Sequence, residues 1–202
     1  MSVTVDFGIP GLQILQGDHI CAFYHGLDDR DEILIPYLRA GLEAGDKCIC
    51  VVDASDPEAV LAELRAVIDI DNKSANHQLD VLPSQSTYLR DGVFKTDRMI
   101  GFWDATVGAA LSSDGFSSVR AVGEMTWALR DTPGVDELVG YESELNRFLP
   151  RYPQVILCLY DLGRFDGEVI FEVLKTHPKV LVKGVVIENL YYLEPDEFLA
   201  TR

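Results

Sequence analysis

The strongest constraint on this chain is a rhythm. Short apolar runs rich in β-branched residues alternate with longer segments whose apolar residues recur every three to four positions. The strand candidates are residues 19–24, 47–53, 79–82, 119–125 and 155–161. Most are apolar on both alternating faces, as a strand is when helices cover both sides of its sheet. Such strands alternating with amphipathic helices predict an α/β fold, a mostly parallel sheet between two helix layers.

The helices carry their own signals. Asp28 is placed to cap a helix whose inner face reads Leu34, Tyr37, Leu38, Gly41 and Leu42, with Pro36 inside it as a kink or break. Ser55 and Glu58 have capping-box spacing ahead of Val60, Leu61, Leu64 and Ile68. A third helix shows Ile100, Trp103, Val107 and Leu111, and a fourth Leu138, Tyr141, Leu145 and Phe148. A fifth runs over about 166–176 and stops at His177-Pro178. Beyond it, residues 180–182 and 185–188 flank Lys183-Gly184, which predicts a hairpin adding an antiparallel edge, and 195–200 reads as a short closing helix. No repeat or linker interrupts the 202 residues, so one domain over 1–202 is expected, with its core at about 17–198.

In a sheet of this kind ligands sit beyond the carboxyl ends of the strands. A nucleotide-hydrolysing version needs G-x-x-x-x-G-K-[ST] after its first strand. Here the turn reads His25-Gly26-Leu27-Asp28-Asp29-Arg30-Asp31-Glu32, and no Gly-Lys pair occurs anywhere in the chain. Four carboxylates crowd the start of the helix. They stabilise the positive end of its dipole, by about 0.3–1 kcal/mol each, where a phosphate would otherwise bind. The expectation is a domain that is not an enzyme and takes no cofactor.

Charge narrows the partners. Thirty-three acids against 17 bases give a net charge of −16 and a pI near 4.5. That surface repels phosphate backbones and anionic membranes, so no direct nucleic-acid or membrane binding is expected. Residues 1–10 show no signal-peptide pattern, and no apolar run approaches the ~18–20 residues of a membrane span. Cys21, Cys48, Cys50 and Cys158 all lie in strand-like runs, as reduced buried thiols would, and a cytoplasmic location is expected.

Several segments are familiar together. His19-Ile20-Cys21-Ala22-Phe23-Tyr24, Gly41-Leu42-Glu43-Ala44-Gly45-Asp46-Lys47, Gly123-Glu124-Met125-Thr126-Trp127, Tyr141-Glu142 with Asn146, Cys158-Leu159-Tyr160-Asp161 and His177-Pro178 resemble the MEDS domain, the methanogen/methylotroph, DcmR sensory family. The likeness runs from about Gly17 to Phe198. It implies a RecA/KaiC-like fold with a decayed phosphate loop, sensing of small organic compounds such as hydrocarbon derivatives, and a regulatory protein partner. Relatives are often joined to DNA-binding, histidine-kinase or anti-sigma-type modules, none of which is read in this chain. At Asn189-Leu190-Tyr191 the chain departs from the family, which has proline after the asparagine; only the local turn is affected.

The candidate ligand-binding residues are His19, Cys21, Tyr24, His25, Asp53, Glu124, Trp127, Tyr160 and Asp161. His19 and Cys21 share a strand face and are able to contact a soft metal, a halogenated compound or a thiol; equally, they suit a strand start and a small core residue. Cys48, Cys50 and Cys158 have no zinc-site spacing and read as core, so no metal is expected. Asp53, Glu124 and Asp161 fall at strand carboxyl ends, as relics, loop caps or the polar end of a pocket. Tyr24, Trp127 and Tyr160 would give that rim an aromatic lining for an apolar ligand, Trp127 above all because it follows its strand directly. His25 sits in the altered loop, where an imidazole is able to titrate near neutrality. His177 reads as a helix C-cap and Trp103 as packing. Two other readings stay open: a degenerate ATPase that keeps nucleotide binding, and a scaffold without a ligand. Self-association as a homodimer is an expectation from the fold class alone.

Overall fold

A computed structural model describes residues 3–200. The chain opens with a two-stranded antiparallel hairpin, β1 (Thr4–Asp6) and β2 (Gln13–Leu15), which precedes the alternating region. Then come β3 (His19–Tyr24), α1 (Gly26–Ala44), β4 (Lys47–Val52), α2 (Pro57–Val67), α3 (Asp71–Ala75) and β5 (Leu79–Pro83). They are followed by α4 (Thr96–Ser112), β6 (Val119–Glu124), α5 (Leu138–Phe148), β7 (Gln154–Asp161), α6 (Gly167–Thr176), β8 (Lys179–Val182), β9 (Val185–Glu188) and α7 (Pro195–Ala200).

The main sheet has seven strands in the order β5-β4-β6-β7-β3-β8-β9. All pairings are parallel except β8 with β9. The expected α/β fold with a C-terminal antiparallel edge is therefore observed. Lys183 and Gly184 both adopt positive φ, 50° and 74°, the backbone that a two-residue type I′ hairpin requires.

Two cores lie on opposite faces of the sheet. On one, α1 and α2 cover Ile20, Ala22, Cys48, Cys50, Val122 and Leu157. On the other, α4, α5 and α6 cover Cys21, Ile49, Val51, Ala121, Ile156 and Cys158. β4, β6 and β7 are buried at every position, which accounts for their apolar runs. Among the described residues no helix is long and apolar enough to cross a membrane.

Local details amend the sequence reading. α1 begins at Gly26, two residues before Asp28, and Pro36 does not split it. The cap of α2 is Asp56, whose carboxylate accepts from the Glu58 N–H at 2.9 Å; Ser55 instead accepts from Arg30. Asp56→Ala should therefore lower stability by about 1 kcal/mol in urea unfolding, with Ser55→Ala no substitute for it at that helix end. The turn at Asn189 forms without proline. The Asn189 side chain donates to the carbonyls of Leu174 and His177 and accepts from the Tyr191 N–H, fixing the chain against the end of α6.

Candidate functional site

The predicted site residues separate into two places. Tyr24, His25, Asp53, Glu124 and Asp161 gather at the carboxyl ends of the strands. His19, Cys21 and Tyr160 lie on the sheet face under α5 and α6.

At the strand ends the acids are already engaged. Glu124 Oε1 accepts from Tyr24 Oη at 3.1 Å and from an Arg30 N–H at 3.4 Å. Its other oxygen accepts the backbone N–H groups of Asp53 and Ala54 at 2.7 and 2.9 Å. Asp53 accepts from Ser84, from Thr126 at 3.0 Å and from Arg130 at 2.8 Å. Asp161 accepts from Gly26 N at 3.4 Å and Gly163 N at 2.9 Å, while Asp29 takes the His25 N–H at 2.7 Å. The amides that open α1, where an anion would bind, are thus held by the protein's own carboxylates. His25 itself is exposed. Burial, with Glu124 and Asp161 nearby, pushes the Tyr24 hydroxyl well above its usual value, so it serves as a donor.

Trp127 lies elsewhere than expected. It is fully buried, stacked against both Tyr88 and Phe94 with ring centroids at 4.7 and 4.4 Å, and belongs to the core beside the rim. The open apolar surface at this end is a groove of about 400 Å³ just beyond it. Leu138 and Val139 of α5, Phe165 and Val169 of α6 with its approach, and Ala128 and Leu129 after β6 form its walls, and Glu168 and Glu172 stand among its lining.

The second place is a closed polar cluster. His19 at the start of β3, Glu142 on α5, Cys158 on β7 and His177 at the end of α6 bring one ligand-type atom each to within 4.8 Å of one another. All four side chains are buried. Glu142 Oε2 lies 3.3 Å from His19 Nε2, 3.4 Å from His177 Nε2 and 3.4 Å from Cys158 Sγ, and that sulfur is 3.5 Å from His19 Nε2. Tyr160 donates its hydroxyl to the other Glu142 oxygen at 2.5 Å. Cys21 sits beside Cys158 in strand register and donates to the Lys179 carbonyl.

Both rings are oriented from behind. His19 Nδ1 faces Asn146 Oδ1 at 3.0 Å, and Asn146 spends its own N–H groups on the carbonyls of Glu142 and Thr176. His177 Nδ1 faces the Val173 carbonyl at 2.8 Å, so it does cap α6 while its other nitrogen turns inward. Because both acceptors behind the rings lack protons, the Nδ1 atoms carry hydrogens and both Nε2 atoms face Glu142. The Nε2 of His177 has no hydrogen-bond partner. Burial alone would raise the Glu142 carboxyl, but the His177 and His19 rings outweigh it and hold it well below the carboxylate range. Burial and the neighbouring His177 pull His19 below the usual imidazole value, against the pull of Glu142. The consistent state is an ionised Glu142 beside a neutral His19. Burial, then the Glu142 charge, pushes the Cys158 thiol and Tyr160 hydroxyl well up.

His19, Cys21 and Tyr160 are among the residues expected at a site, whereas Cys158, expected in the core, and His177, expected as a cap, join them here together with Glu142, which was not a candidate. One signal was present: Glu142 is four residues after Leu138 and one after Tyr141, an acid on the inward stripe of an apolar helix face. Segments quoted for the family likeness, at His19, Glu142 with Asn146, Cys158 with Tyr160 and His177, converge here.

A profile of the MEthanogen/methylotroph, DcmR Sensory domain matches residues 18–178. The chain belongs to the MEDS family. The transcriptional repressor DcmR of Methylorubrum extorquens is 33% identical over 172 residues, which is 84% of this chain and 61% of that protein. This MEDS domain thus spans about three-fifths of the repressor's length. In architecture it is similar to a KaiC-like protein of Pyrococcus horikoshii, with a TM-score of 0.65 at 14% identity over 89% of this chain and 80% of that one. It is also similar to the flagellar accessory protein FlaH of Methanocaldococcus jannaschii, with a TM-score of 0.59 at 10% identity over 92% and 84%. Those two likenesses establish the KaiC-like fold. The family match establishes a sensory domain.

Proposed function

We propose that this MEDS domain is a non-enzymatic sensor that takes a small organic molecule, of hydrocarbon-derivative type, in the groove between α5 and α6 and passes its occupancy to a regulatory protein partner. The observation that carries the reading is shared scaffolding. Leu138 and Val139 line the groove one turn before Glu142 on α5, and Val169 lines it one turn before Val173 on α6, whose carbonyl faces His177. A molecule that wedges these helices apart works directly against the buried cluster that Glu142 of α5 and His177 at the end of α6 help to form. Apolar walls with acids among them suit a neutral or weakly basic compound and repel an anion.

Nucleotide binding is the competing reading, favoured by the KaiC-like fold. The engaged amides of His25 and Gly26 and the fully bonded Glu124 weigh against it. Calorimetry with ATP and magnesium should give no binding heat, and binding abolished by Glu124→Gln would replace the sensor by a degenerate ATPase.

The sensor is tested by a thermal-shift screen of haloalkanes, small aromatics and thiols. A true ligand at a hundredfold excess over its Kd stabilises the native state by about 2.7 kcal/mol. Val169→Trp, which fills the groove, should abolish that shift while leaving the ligand-free domain folded. A screen without hits, or hits indifferent to Val169→Trp, would remove the basis for the groove.

A further inference from the structure

The buried cluster under α5 and α6 poses a problem of electron pairs. Asn146 Oδ1 and the Val173 carbonyl hold the Nδ1 hydrogens of His19 and His177, so both Nε2 atoms, the ones left to bind an ion, point inward. They converge on Glu142 Oε2, with the Cys158 thiol against the same oxygen. Four electron-rich atoms share a closed space with no neighbouring lysine or arginine among the described ion pairs of the cluster. A buried arrangement of this kind calls for a cation at its centre.

We infer that His19, Glu142, Cys158 and His177 form a four-coordinate site for a divalent transition metal, with zinc the best match to its donors. Bonds of about 2.0–2.3 Å in a tetrahedron place neighbouring donor atoms roughly 3.3–3.8 Å apart. Of the six separations, four are 3.3, 3.4, 3.4 and 3.5 Å and the whole set lies within 4.8 Å, so His177 has only a short distance to close onto an ion. Two imidazoles, a thiolate and a carboxylate are a borderline-soft set, poor for calcium or magnesium. The charges balance: the thiolate and carboxylate neutralise the ion, and the thiol proton leaves to solvent when the metal binds.

The surroundings are those of a metal centre. Each imidazole is backed by an acceptor at its far nitrogen, and Tyr160 holds the second Glu142 oxygen at 2.5 Å, leaving one oxygen for the ion. With four protein donors and no solvent access, the site has no open position for hydrolytic chemistry, so its role is to lock α5 and α6 to β3 and β7. It joins the same helix pair that walls the groove, but its metal content is measured without any organic ligand, so the two readings fail separately.

The test is to unfold the purified domain in denaturant with a chelator, remove both, and refold it with cobalt(II) or with no metal. The expected result is one cobalt per chain by elemental analysis, intense tetrahedral d–d bands and a thiolate-to-cobalt charge-transfer band. Cys158→Ser should lose the charge-transfer band and keep visible d–d bands. Asn146→Ala, which spares every ligand, should weaken cobalt binding about 10–100-fold. Refolded protein that binds less than stoichiometric cobalt, shows no thiolate band, and is as stable without metal as with it would overturn the site in favour of a hydrogen-bonded cluster sharing protons. The same holds if Asn146→Ala binds cobalt as tightly as the parent.

Discussion

Replacing Glu124 by alanine should cost the domain about 3–5 kcal/mol, a fall in the thermal midpoint of roughly 6–20 °C for a domain of this size. The magnitude follows from what the carboxylate holds. Arg30 is buried to 2% exposure on the rim, and Glu124 is one of its two acidic partners. The amides of Asp53 and Ala54 and the Tyr24 hydroxyl end on the same carboxylate. Deleting it strands two backbone donors and the Tyr24 hydroxyl and leaves the buried Arg30 with only Asp31 and Ser55, so desolvation costs are no longer offset. Glu124→Gln keeps the shape and one acceptor oxygen, so its loss should be smaller. A carboxylate poised to activate water would behave the other way, since removing a free general base changes rate and barely changes stability. Urea unfolding of the two variants separates these cases. If Glu124→Ala unfolds at the parental midpoint, the rim is not the self-bonded network described above, and the argument against nucleotide binding weakens with it.

The fold was legible because burial on both faces writes itself into a strand without help from distant residues. β3, β4, β6 and β7 lie within a residue or so of the positions their apolar runs indicate. The hairpin of β1 and β2 escaped notice because Thr4–Asp6 and Gln13–Leu15 are three residues each and mostly exposed, too short for alternation to register. Trp127 was misplaced for a different reason. Its position after β6 follows from the sequence, but chain order says nothing of the turn that swings its ring against Tyr88 and Phe94. The buried cluster was half legible. His19 and Cys21 announced themselves by spacing within one strand, whereas Glu142, Cys158 and His177 reach it from α5, β7 and the end of α6, and only tertiary packing brings them together. An acid on an apolar helix stripe was the local clue. Burying it demands partners, and the sequence does not say which.

Alkali should unfold this domain at an unusually low pH, because its thiols are sealed in their protonated form. Burial pushes Cys48 up to about 12, with Arg120 pulling the other way, and its thiol points at the Leu38 carbonyl. Burial also raises Cys50, with the Glu124 charge adding to it, and raises Cys21 well above the ordinary thiol value, with Glu142 adding there. These three lie outside the proposed metal ligands. Above a pH of about 9 the unfolded chain releases their protons while the native chain keeps them, so the native state binds more protons and stability falls as pH rises. Below about 9 both states are protonated and the contribution is fully present. Each thiol withdraws about 1.4 kcal/mol per pH unit through this window, so the three together withdraw about 4, against a typical total of 5–15 kcal/mol. For Cys48 the loss continues until about pH 12, where the native thiol itself ionises. Urea midpoints at pH about 8, 9 and 10 should therefore drop steeply over the last step, whereas a midpoint unchanged between pH about 8 and 10 would contradict the sealed thiols. Cys48→Ala supplies the internal check. Its cavity lowers stability at every pH, but removing one titrating group should flatten the slope above pH 9 by about 1.4 kcal/mol per unit. A slope identical to the parent's would mean that Cys48 reaches solvent, and that β4 and α1 are less tightly closed over it than the structure shows.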